Sequence, residues 1–319
     1  LVDGASTDNT RALMCEFALD NKDEFRRVVV LDNPKKTLPS GWNVALREYK
    51  GDAIIKVDAH AVIPEDFVSK NVRVLETGEY ICGGQRPNII DKPTPFKETL
   101  LLAESSMFGS SIASYRNNPG KTYVKSLFHA AYRREVFEKV GFFNEELVRT
   151  EDNEIHYRMR KAGYKLCFDP DIISYQYTRS SLKAMLKQKY ANGYWIGKTS
   201  KVCPKCLSIY HFVPFAFVSA IIASGSVIGA TGLAECIKKR HNHTLGKGIS
   251  ALRKVTVVLT TVMWVLYALM ASGMAAVSAF KAEDKRNITN ACLPVLFLLL
   301  HLSYGIGTIA GLMDKSKRG

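Results

Sequence analysis

The sequence predicts an α/β domain followed by a helical membrane region, and two observations support this division. In the first two thirds, short β-branched runs alternate with amphipathic segments that fit helices. In the last third, three stretches lack Asp, Glu, Lys and Arg: 207–234, 255–280 and 287–313. Each stretch is long enough to cross a hydrocarbon layer, which needs roughly 20 apolar residues. We therefore expect an α/β domain over 1–178, a basic helix and linker over 179–206, and a membrane region over 207–319.

The α/β domain begins with a strand that ends at Asp3 and leads into a loop. Ser6 or Asp8 then caps a helix that starts at Thr10, because short oxygen-bearing side chains satisfy the free amide groups of a helix start. Next come a strand over 27–31, a helix over 39–49, a strand over 53–57, a helix over 64–76 and a strand over 80–84. This alternation predicts a mainly parallel sheet with helices on both faces. Ligands bind such sheets beyond the carboxyl ends of the strands, where Asp3 and Asp58 lie.

The second half of the domain is less regular. Its predicted elements are a helix over 96–107, a polar loop over 109–121, a strand over 127–133, helices over 135–140 and 151–162, strands over 165–169 and 173–177, and a basic helix over 181–198. Seven Lys and Arg and no Asp or Glu fall between Arg179 and Lys205. This composition is typical of a helix at a membrane surface, where Trp and Tyr lie at the headgroup level.

The formal net charge of +14 is concentrated in the membrane region, where 12 Lys and Arg face four Asp and Glu over 207–319. Loops that face anionic headgroups carry such an excess. A nucleic-acid-binding protein would instead place a basic patch interleaved with aromatic residues in its soluble part. Residues 1–206 contain no such patch, so the sequence excludes nucleic acid as a partner. Cys203 and Cys206 form a lone C-x-x-C pair, which we interpret as two incidental cysteines in a reducing cytosol.

Asp58-Ala59-His60 directly follows the predicted strand over 53–57. Because side chains alternate along an extended chain, Asp58 and His60 are expected on one side of it. A carboxylate and an imidazole so placed could hold a divalent cation, with Mn²⁺ or Mg²⁺ usual for oxygen-rich sites. The pattern D-x-H is common by chance, so it carries weight only beside other motifs.

Glu151 and Asp152 open a helix, and two interpretations fit this position. Negative charge is favourable at a helix N-terminus, where it offsets the helix dipole. Alternatively, a carboxylate exposed at the edge of a cleft is a general base that takes a proton from a hydroxyl. Gln188 and Trp195 lie on the basic helix, where an aromatic face is suited both to a membrane surface and to a sugar ring.

Taken in order, these motifs resemble those of the family 2 glycosyltransferases. The matching segments are V-D-x-x-S-T-D-x-T at 2–10, G-x-N-x-A at 41–45, a D-x-D variant at 58–60, an acid pair at 151–152 with a later Arg158 and Gly163, and an altered Q-x-x-R-W element at 188–195. Smaller segments, including Gly83-Gly84-Gln85, resemble the succinoglycan-type exopolysaccharide transferases.

The resemblance implies a GT-A fold with a Rossmann-like mixed sheet, and an inverting reaction on a nucleotide-sugar, most often a UDP-sugar. Carried over to this sequence, the resemblance implies that Asp3 and Asp58 bind the nucleotide-sugar, and that Asp58 and His60 hold a Mn²⁺ or Mg²⁺ ion with the diphosphate. Asp152 would be the catalytic base, supported by Glu151. Gln188 and Trp195 would line the acceptor side. His60 replaces the commoner second Asp. The missing Arg of the Q-x-x-R-W element favours the addition of one sugar at a time. The resemblance also implies that a first strand and helix, absent from this sequence, precede Val2.

The expected function is sugar transfer from a nucleotide-sugar to a polyprenyl-diphosphate-linked acceptor, in surface or exopolysaccharide biosynthesis. The enzyme would be a multi-pass protein of a bacterial cell membrane with a cytoplasmic catalytic domain. Two alternatives remain at this point: a polyprenyl-phosphate sugar synthase and a catalytically silent membrane scaffold.

Membrane topology is also open. Three spans would place 235–254 outside although this segment holds six Lys and Arg. A first stretch that is re-entrant or lies in the interface, broken by Gly225, Gly229 and Gly232, would keep it inside. We favour three spans.

Overall fold

The architecture was determined from a computed structural model, which describes residues 1–109, 120–240, 246–282 and 286–315. The helices are α1 Thr10–Asp20, α2 Leu38–Glu48, α3 Phe67–Glu76, α4 Pro95–Ser105, α5 Arg134–Val140, α6 Glu151–Lys161, α7 Leu182–Val202, α8 Val213–Arg240, α9 Lys247–Lys281 and α10 Leu293–Met313. The strands are β1 Val2–Asp3, β2 Leu31–Asp32, β3 Ala53–Ile55, β4 Ala61–Val62, β5 Ile81–Gln85, β6 Asn88–Ile89, β7 Thr122–Val124, β8 Ala131–Arg133, β9 Leu166–Ile173 and β10 Tyr175–Tyr177. Short 3₁₀ turns cover Pro204–Cys206, Ile209–Phe212 and Ile288–Cys292.

The main sheet has five strands in the order β3-β8-β5-β9-β7. Within the described parts of the chain, β5–β9 is its one parallel pair, and β3–β8, β5–β8 and β7–β9 are antiparallel. β1 and β2 form a separate parallel pair, and β4, β10 and β6 form a small mixed sheet. The predicted α/β class is therefore confirmed, but the expectation of a mainly parallel sheet is wrong. The crossover through α3 gives β3 and β5 the same direction, but β8, from the less regular second half of the domain, inserts between them antiparallel to both.

Helices cover both faces of the main sheet, as the sequence predicted. Along the strands, alternate side chains enter two separate cores. On one face, Ile81, Tyr132 and Phe168 are buried together with Ile155 and Met159 of α6. On the other face lie the buried residues of α3 and their strand neighbours: Phe67, Val74, Leu75, Cys82, Ala131 and Cys167. This double cover holds the loops at one edge of the sheet in fixed positions.

A third core joins the α/β domain to the apolar helices. It contains Leu100 and Ala103 of α4, Met185 of α7, and Phe297 and Leu300 of α10, all buried. Because α4 and α7 contribute side chains to this core, the α/β domain and the apolar helices share a hydrophobic interface.

Helices α7 and α10 approach each other closely through glycines on both helices. A Cβ atom added at Gly193 would lie 2.0 Å from the carbonyl oxygen of Tyr304, and one at Gly311 would lie 2.0 Å from that of Tyr194. Glycine is therefore required at both positions, because any side chain there would meet the opposite backbone.

The described part of the chain contains three helical segments long and apolar enough to cross a membrane, Ile209–Lys238, Lys247–Lys281 and Ile288–Met313. Of the most apolar part of each, 6%, 6% and 39% respectively is buried within the protein. α8 continues without a break through Gly225, Gly229 and Gly232, so the structure does not contain the broken first segment of the re-entrant alternative.

Candidate active site

Asp58 lies just beyond β3, at the edge of the sheet where a ligand was expected. The side chain is 8% exposed, and its Oδ2 atom lies 3.6 Å from Nε2 of His129. Burial acts to raise the pKa of Asp58, but the His129 interaction and the charge of Lys56 outweigh it and hold the pKa at about 2. Among the described residues, the Oδ1 atom of Asp58 has no hydrogen-bond partner. A charged carboxylate with one buried oxygen left open fits a cation ligand.

His60 does not continue the extended chain of β3. The amide of Ala61 donates to the carbonyl of Asp58 at 3.0 Å, and this turn ends the side-chain alternation predicted from the sequence. His60 is exposed, and its Nε2 lies 2.5 Å from the side-chain nitrogen of Gln176 on β10. Neighbouring groups exclude part of the water around the ring, and this partial desolvation lowers the pKa of His60. The neutral form, which binds metals, is therefore favoured.

The donor set of Asp58 and His60 fits a divalent ion that is shared with a substrate. Across the described ranges, no three His, Cys, Asp or Glu side chains are grouped closely enough to hold a metal by themselves. Ions held by one or two protein ligands plus substrate phosphates are usual for Mg²⁺. These residues therefore fit a metal that arrives with, or is completed by, a diphosphate.

Asp152, the predicted base, lies in the first turn of α6 and forms an ion pair with Lys56. The Lys56 Nζ atom donates to both carboxylate oxygens, at 2.9 and 3.0 Å. The Lys56 side chain is 4% exposed and that of Asp152 is 19% exposed. Burial acts to lower the pKa of Lys56, but the charges of Asp152 and Asp58 outweigh it and raise the pKa. Lys56 is therefore charged, and Asp152 retains an accessible edge.

Glu151 differs from its neighbour because its carboxyl group is fully enclosed. Its Oε2 atom has no hydrogen-bond partner in the described part of the chain. Burial, with the adjacent charge of Asp152, raises the pKa of Glu151 to about 8. At neutral pH Glu151 is therefore a neutral acid beneath the site.

Asp3 is buried at the end of β1, and its carboxylate is engaged by the following loop. The Ser6 hydroxyl donates to Oδ1 at 2.5 Å, and the Ser6 amide lies 3.2 Å from Oδ2. These bonds fix the loop beyond β1. The nucleotide contact assigned to Asp3 stays a prediction.

Two further motif residues, Asn43 and Arg158, hold the backbone that precedes the acid pair. The Asn43 side chain donates to the carbonyl of Phe143 and accepts from its amide, both at 2.9 Å. Arg158 donates to the carbonyls of Val140 and Phe142 and pairs with Glu154 at 2.7 Å. These motif residues position the loop that leads to Asp152.

The acceptor residues predicted on α7 are largely enclosed. Trp195 is only 9% exposed, and the Oε1 atom of Gln188 is buried. One turn to either side of Trp195, Asn192 accepts a hydrogen bond from Arg149 at 3.1 Å and the Thr199 hydroxyl bonds that of Thr150. The same face of α7 therefore contacts the residues just before Glu151. The role of Trp195 and Gln188 as an acceptor platform stays a prediction.

Sequence reasoning missed two residues of the site, Lys56 and His129. Lys56 carried a signal, because it lies two positions before Asp58 and extended alternation directs both side chains to one side. His129 carried none, since it reaches Asp58 from a distant loop with a positive φ of 46°.

The first part of the chain matches a known protein family. Residues 1–141 match the profile of Glycosyl transferase family 2, and this range contains Asp3, Lys56, Asp58 and His129. The chain carries a family 2 glycosyltransferase domain. The GT-A type of α/β fold implied by the sequence motifs is thereby confirmed, together with apolar helices that follow it.

Two curated relatives and one solved structure illustrate the similarity. The succinoglycan biosynthesis protein ExoA of Rhizobium meliloti (strain 1021) is 29% identical over 60% of this chain and 58% of its own length. The dolichyl N-acetyl-alpha-D-glucosaminyl phosphate 3-beta-D-2,3-diacetamido-2,3-dideoxy-beta-D-glucuronosyltransferase of Methanococcus voltae is 25% identical over 70% of each chain. The crystal structure of GalNAc-T7 with UDP, GalNAc and Mn²⁺ is 16% identical, with a TM-score of 0.40, over 66% of this chain and 45% of that chain. The chain thus spans less than two thirds of the succinoglycan protein.

Proposed function

We propose that this glycosyltransferase moves one sugar, with inversion, from a nucleotide-sugar to a lipid-linked saccharide in the synthesis of a surface or exported polysaccharide. The observation that carries the proposal is that Lys56, two positions before Asp58, holds the Asp152 carboxylate by two hydrogen bonds. One carboxylate has an open oxygen suited to a cation, and the other has an accessible edge suited to a hydroxyl.

In the proposed reaction, the acceptor hydroxyl attacks the anomeric carbon from the side opposite the nucleotide. Asp152 takes the hydroxyl proton while the new C–O bond forms. The bond between the anomeric carbon and the diphosphate breaks, and the nucleoside diphosphate leaves with the electron pair. Asp58 and His60 would hold a Mn²⁺ or Mg²⁺ ion, whose charge would offset that of the leaving group. Asp3 contacts the nucleotide, and Gln188 and Trp195 line the acceptor side.

A membrane-bound acceptor agrees with the way the catalytic domain meets the apolar helices. α7 packs along α10 on one side and contacts the residues before Asp152 on the other. The name of the M. voltae relative describes a dolichyl-phosphate-linked sugar as its acceptor. We therefore propose a polyprenyl-diphosphate-linked saccharide as the acceptor and a UDP-sugar as the donor. The enzyme would be multi-pass in a bacterial cell membrane, with a cytoplasmic catalytic domain.

A donor and acceptor panel tests this function. The purified full chain, in lipid nanodiscs with Mn²⁺, is supplied with UDP- and GDP-sugars and with either polyprenyl phosphate or a polyprenyl-diphosphate-linked saccharide. We expect transfer from a UDP-sugar to the saccharide, and loss of transfer when EDTA removes the metal. Transfer to polyprenyl phosphate alone would identify a synthase of activated lipid, and absence of transfer from every donor would contradict the proposal.

Asp152→Asn tests the role of the base. We expect its kcat to fall by about 10²–10⁴-fold, because the proton acceptor is lost while the shape is kept. Nucleotide binding, measured by calorimetry, should be retained. Asp66→Asn, at the residue just before α3, is the matched control and should keep wild-type kcat, since its carboxylate pairs with Lys70 at 2.8 Å on the surface. Transfer by Asp152→Asn at the wild-type rate would exclude Asp152 as the base.

A further inference from the structure

Lys56 is a buried cation in contact with the candidate base. Its ammonium group makes two hydrogen bonds to Asp152, and its charge also acts on Asp58 and Glu151. The three carboxyl groups come from two separate parts of the chain, one beyond β3 and two at the start of α6. Lys56 is therefore the group through which the cation-binding side and the base side of the site meet.

Aromatic rings fix the path of the Lys56 side chain. The Nζ atom lies 5.3 Å from the ring centre of Trp42 and 5.5 Å from that of Phe128, within the range of cation–π attraction. Trp42 belongs to the G-x-N-x-A motif, whose Asn43 holds the loop before the acid pair. The ammonium group is thus oriented from three directions and has little freedom to leave Asp152.

Stability alone does not account for a lysine at this position. Removing a charge from water costs several kcal/mol, and a buried ion pair is often no more stable than well-packed apolar residues of the same volume. The two bonds to Asp152 use one lone pair on each oxygen and leave the others free to accept a hydroxyl. Lys56 therefore fixes the orientation of the Asp152 carboxylate and leaves its oxygens able to accept a hydrogen bond from a hydroxyl.

We propose that Lys56 is a positioning residue, which holds the Asp152 carboxylate in the orientation for proton removal and ties it to the Asp58 side of the site. This inference rests on the proposed glycosyl transfer. While Asp152 takes the acceptor proton, the two hydrogen bonds from Lys56 keep its carboxylate in this orientation.

Steady-state kinetics of Lys56 variants test the proposal, with the UDP-sugar and saccharide acceptor that support wild-type turnover. We expect Lys56→Met to lower kcat by about 10²-fold while the donor KM stays within about threefold of wild type. Lys56→Arg keeps the charge but displaces its donors, so its kcat should lie between those of Lys56→Met and wild type. Lys70→Met, which removes a surface lysine of an ion pair on α3, is the matched control and should not change kcat.

A double-mutant cycle shows whether Lys56 acts through Asp152. If the two work as a unit, Lys56→Met combined with Asp152→Asn should be no slower than Asp152→Asn alone. Multiplicative losses in kcat would overturn the proposal, as would wild-type kcat in Lys56→Met. If Lys56→Met does not fold, Lys56→Arg carries the test, and unchanged kcat in that folded variant would overturn it. Absence of turnover in the wild-type enzyme would instead refute the proposed function, and this inference with it.

Discussion

Glu151 and Asp152 are neighbours in the sequence, but their carboxyl groups have different surroundings. Asp152 accepts two hydrogen bonds from Lys56, whereas Glu151 is enclosed and its Oε2 atom has no partner among the described residues. A helix start exposes its first turn unevenly, because successive side chains point about 100° apart. Asp152 is therefore a charged carboxylate that can accept a hydrogen bond from a hydroxyl, and Glu151 is a neutral acid beside it.

The raised pKa of Glu151 predicts how stability depends on pH. The folded protein keeps this proton up to about pH 8, whereas the unfolded chain releases it near its ordinary pKa, so the folded state binds more protons between these values. The contribution of Glu151 to stability is therefore complete below pH 4 and is lost as the pH rises to about 8. We expect the melting temperature of the wild type, relative to Glu151→Gln, to fall across this interval.

Thermal unfolding in detergent at several pH values measures that difference. Glu145→Gln is the control, at a carboxylate whose pKa is lowered by Lys35. Its contribution to stability is complete above its ordinary pKa, so its difference from wild type should stay constant from pH 5 to pH 8. A constant difference between wild type and Glu151→Gln from pH 5 to pH 8 would contradict the assignment of a neutral buried acid.

At the residue scale, local spacing predicted which acids enter the site but not what they contact. Asp58 and Asp152 were found because each follows a strand or opens a helix. Lys56 was overlooked because a lysine inside an apolar strand usually lies at a surface. The contact between His129 and Asp58 joins residues 71 positions apart in sequence, and no local pattern records such a contact.

At the scale of elements, the alternation of strands and helices up to β5 was predictable, and the order of the strands was not. The helices predicted over 39–49 and 64–76 correspond to α2 and α3. Strand order depends on long-range pairing, and β8 enters between β3 and β5 in the opposite direction. The polar loop predicted over 109–121 lies mostly outside the described residues.

The contact between α7 and α10 leads to a prediction about glycine. Gly193→Ala should lower the melting temperature, because the added Cβ would meet the Tyr304 carbonyl and force the helices apart. Gly225→Ala on α8 is the matched control, since no atom lies within 4 Å of its added Cβ. There, alanine should preserve or raise stability through its higher helix propensity, by about 1 kcal/mol. Equal melting temperatures for the two variants would show that the helices do not pack this closely.

At the scale of the whole molecule, both ends of α10 contact helices of the catalytic side. Just before its start, Asn290 bonds Thr99 of α4 at 2.7 Å. Just beyond its end, Lys201 of α7 donates to the carbonyl of Asp314 at 2.9 Å. α7 carries five lysines, and each would cost about 2.5–3.5 kcal/mol at the centre of a bilayer. This differs from the three spans that the sequence favours. We propose that α10 lies along the membrane surface, with α8 and α9 as the crossing helices.

This arrangement predicts the side on which the chain ends. Single cysteines at Lys70, Gly246 and Lys315, in a background without other reactive thiols, are labelled with an impermeant maleimide in vesicles of known orientation. We expect Lys315→Cys to label from the same side as Lys70→Cys in the catalytic domain, and Gly246→Cys to label from the opposite side. Labelling of Lys315→Cys together with Gly246→Cys would instead show that α10 crosses the membrane.

The hydroxyl bond between Thr150 and Thr199 joins the loop that carries the acid pair to α7, which is itself locked to α10. Proton removal would therefore occur at a fixed height above the lipid surface. An acceptor lengthened by one sugar presents its terminal hydroxyl farther from the lipid, whereas the distance between Asp152 and the lipid surface does not change. The new terminal hydroxyl would then lie out of reach of Asp152, and transfer to that acceptor would stop after one sugar. Product lengths obtained with lipid acceptors of one, two and three sugars measure that reach.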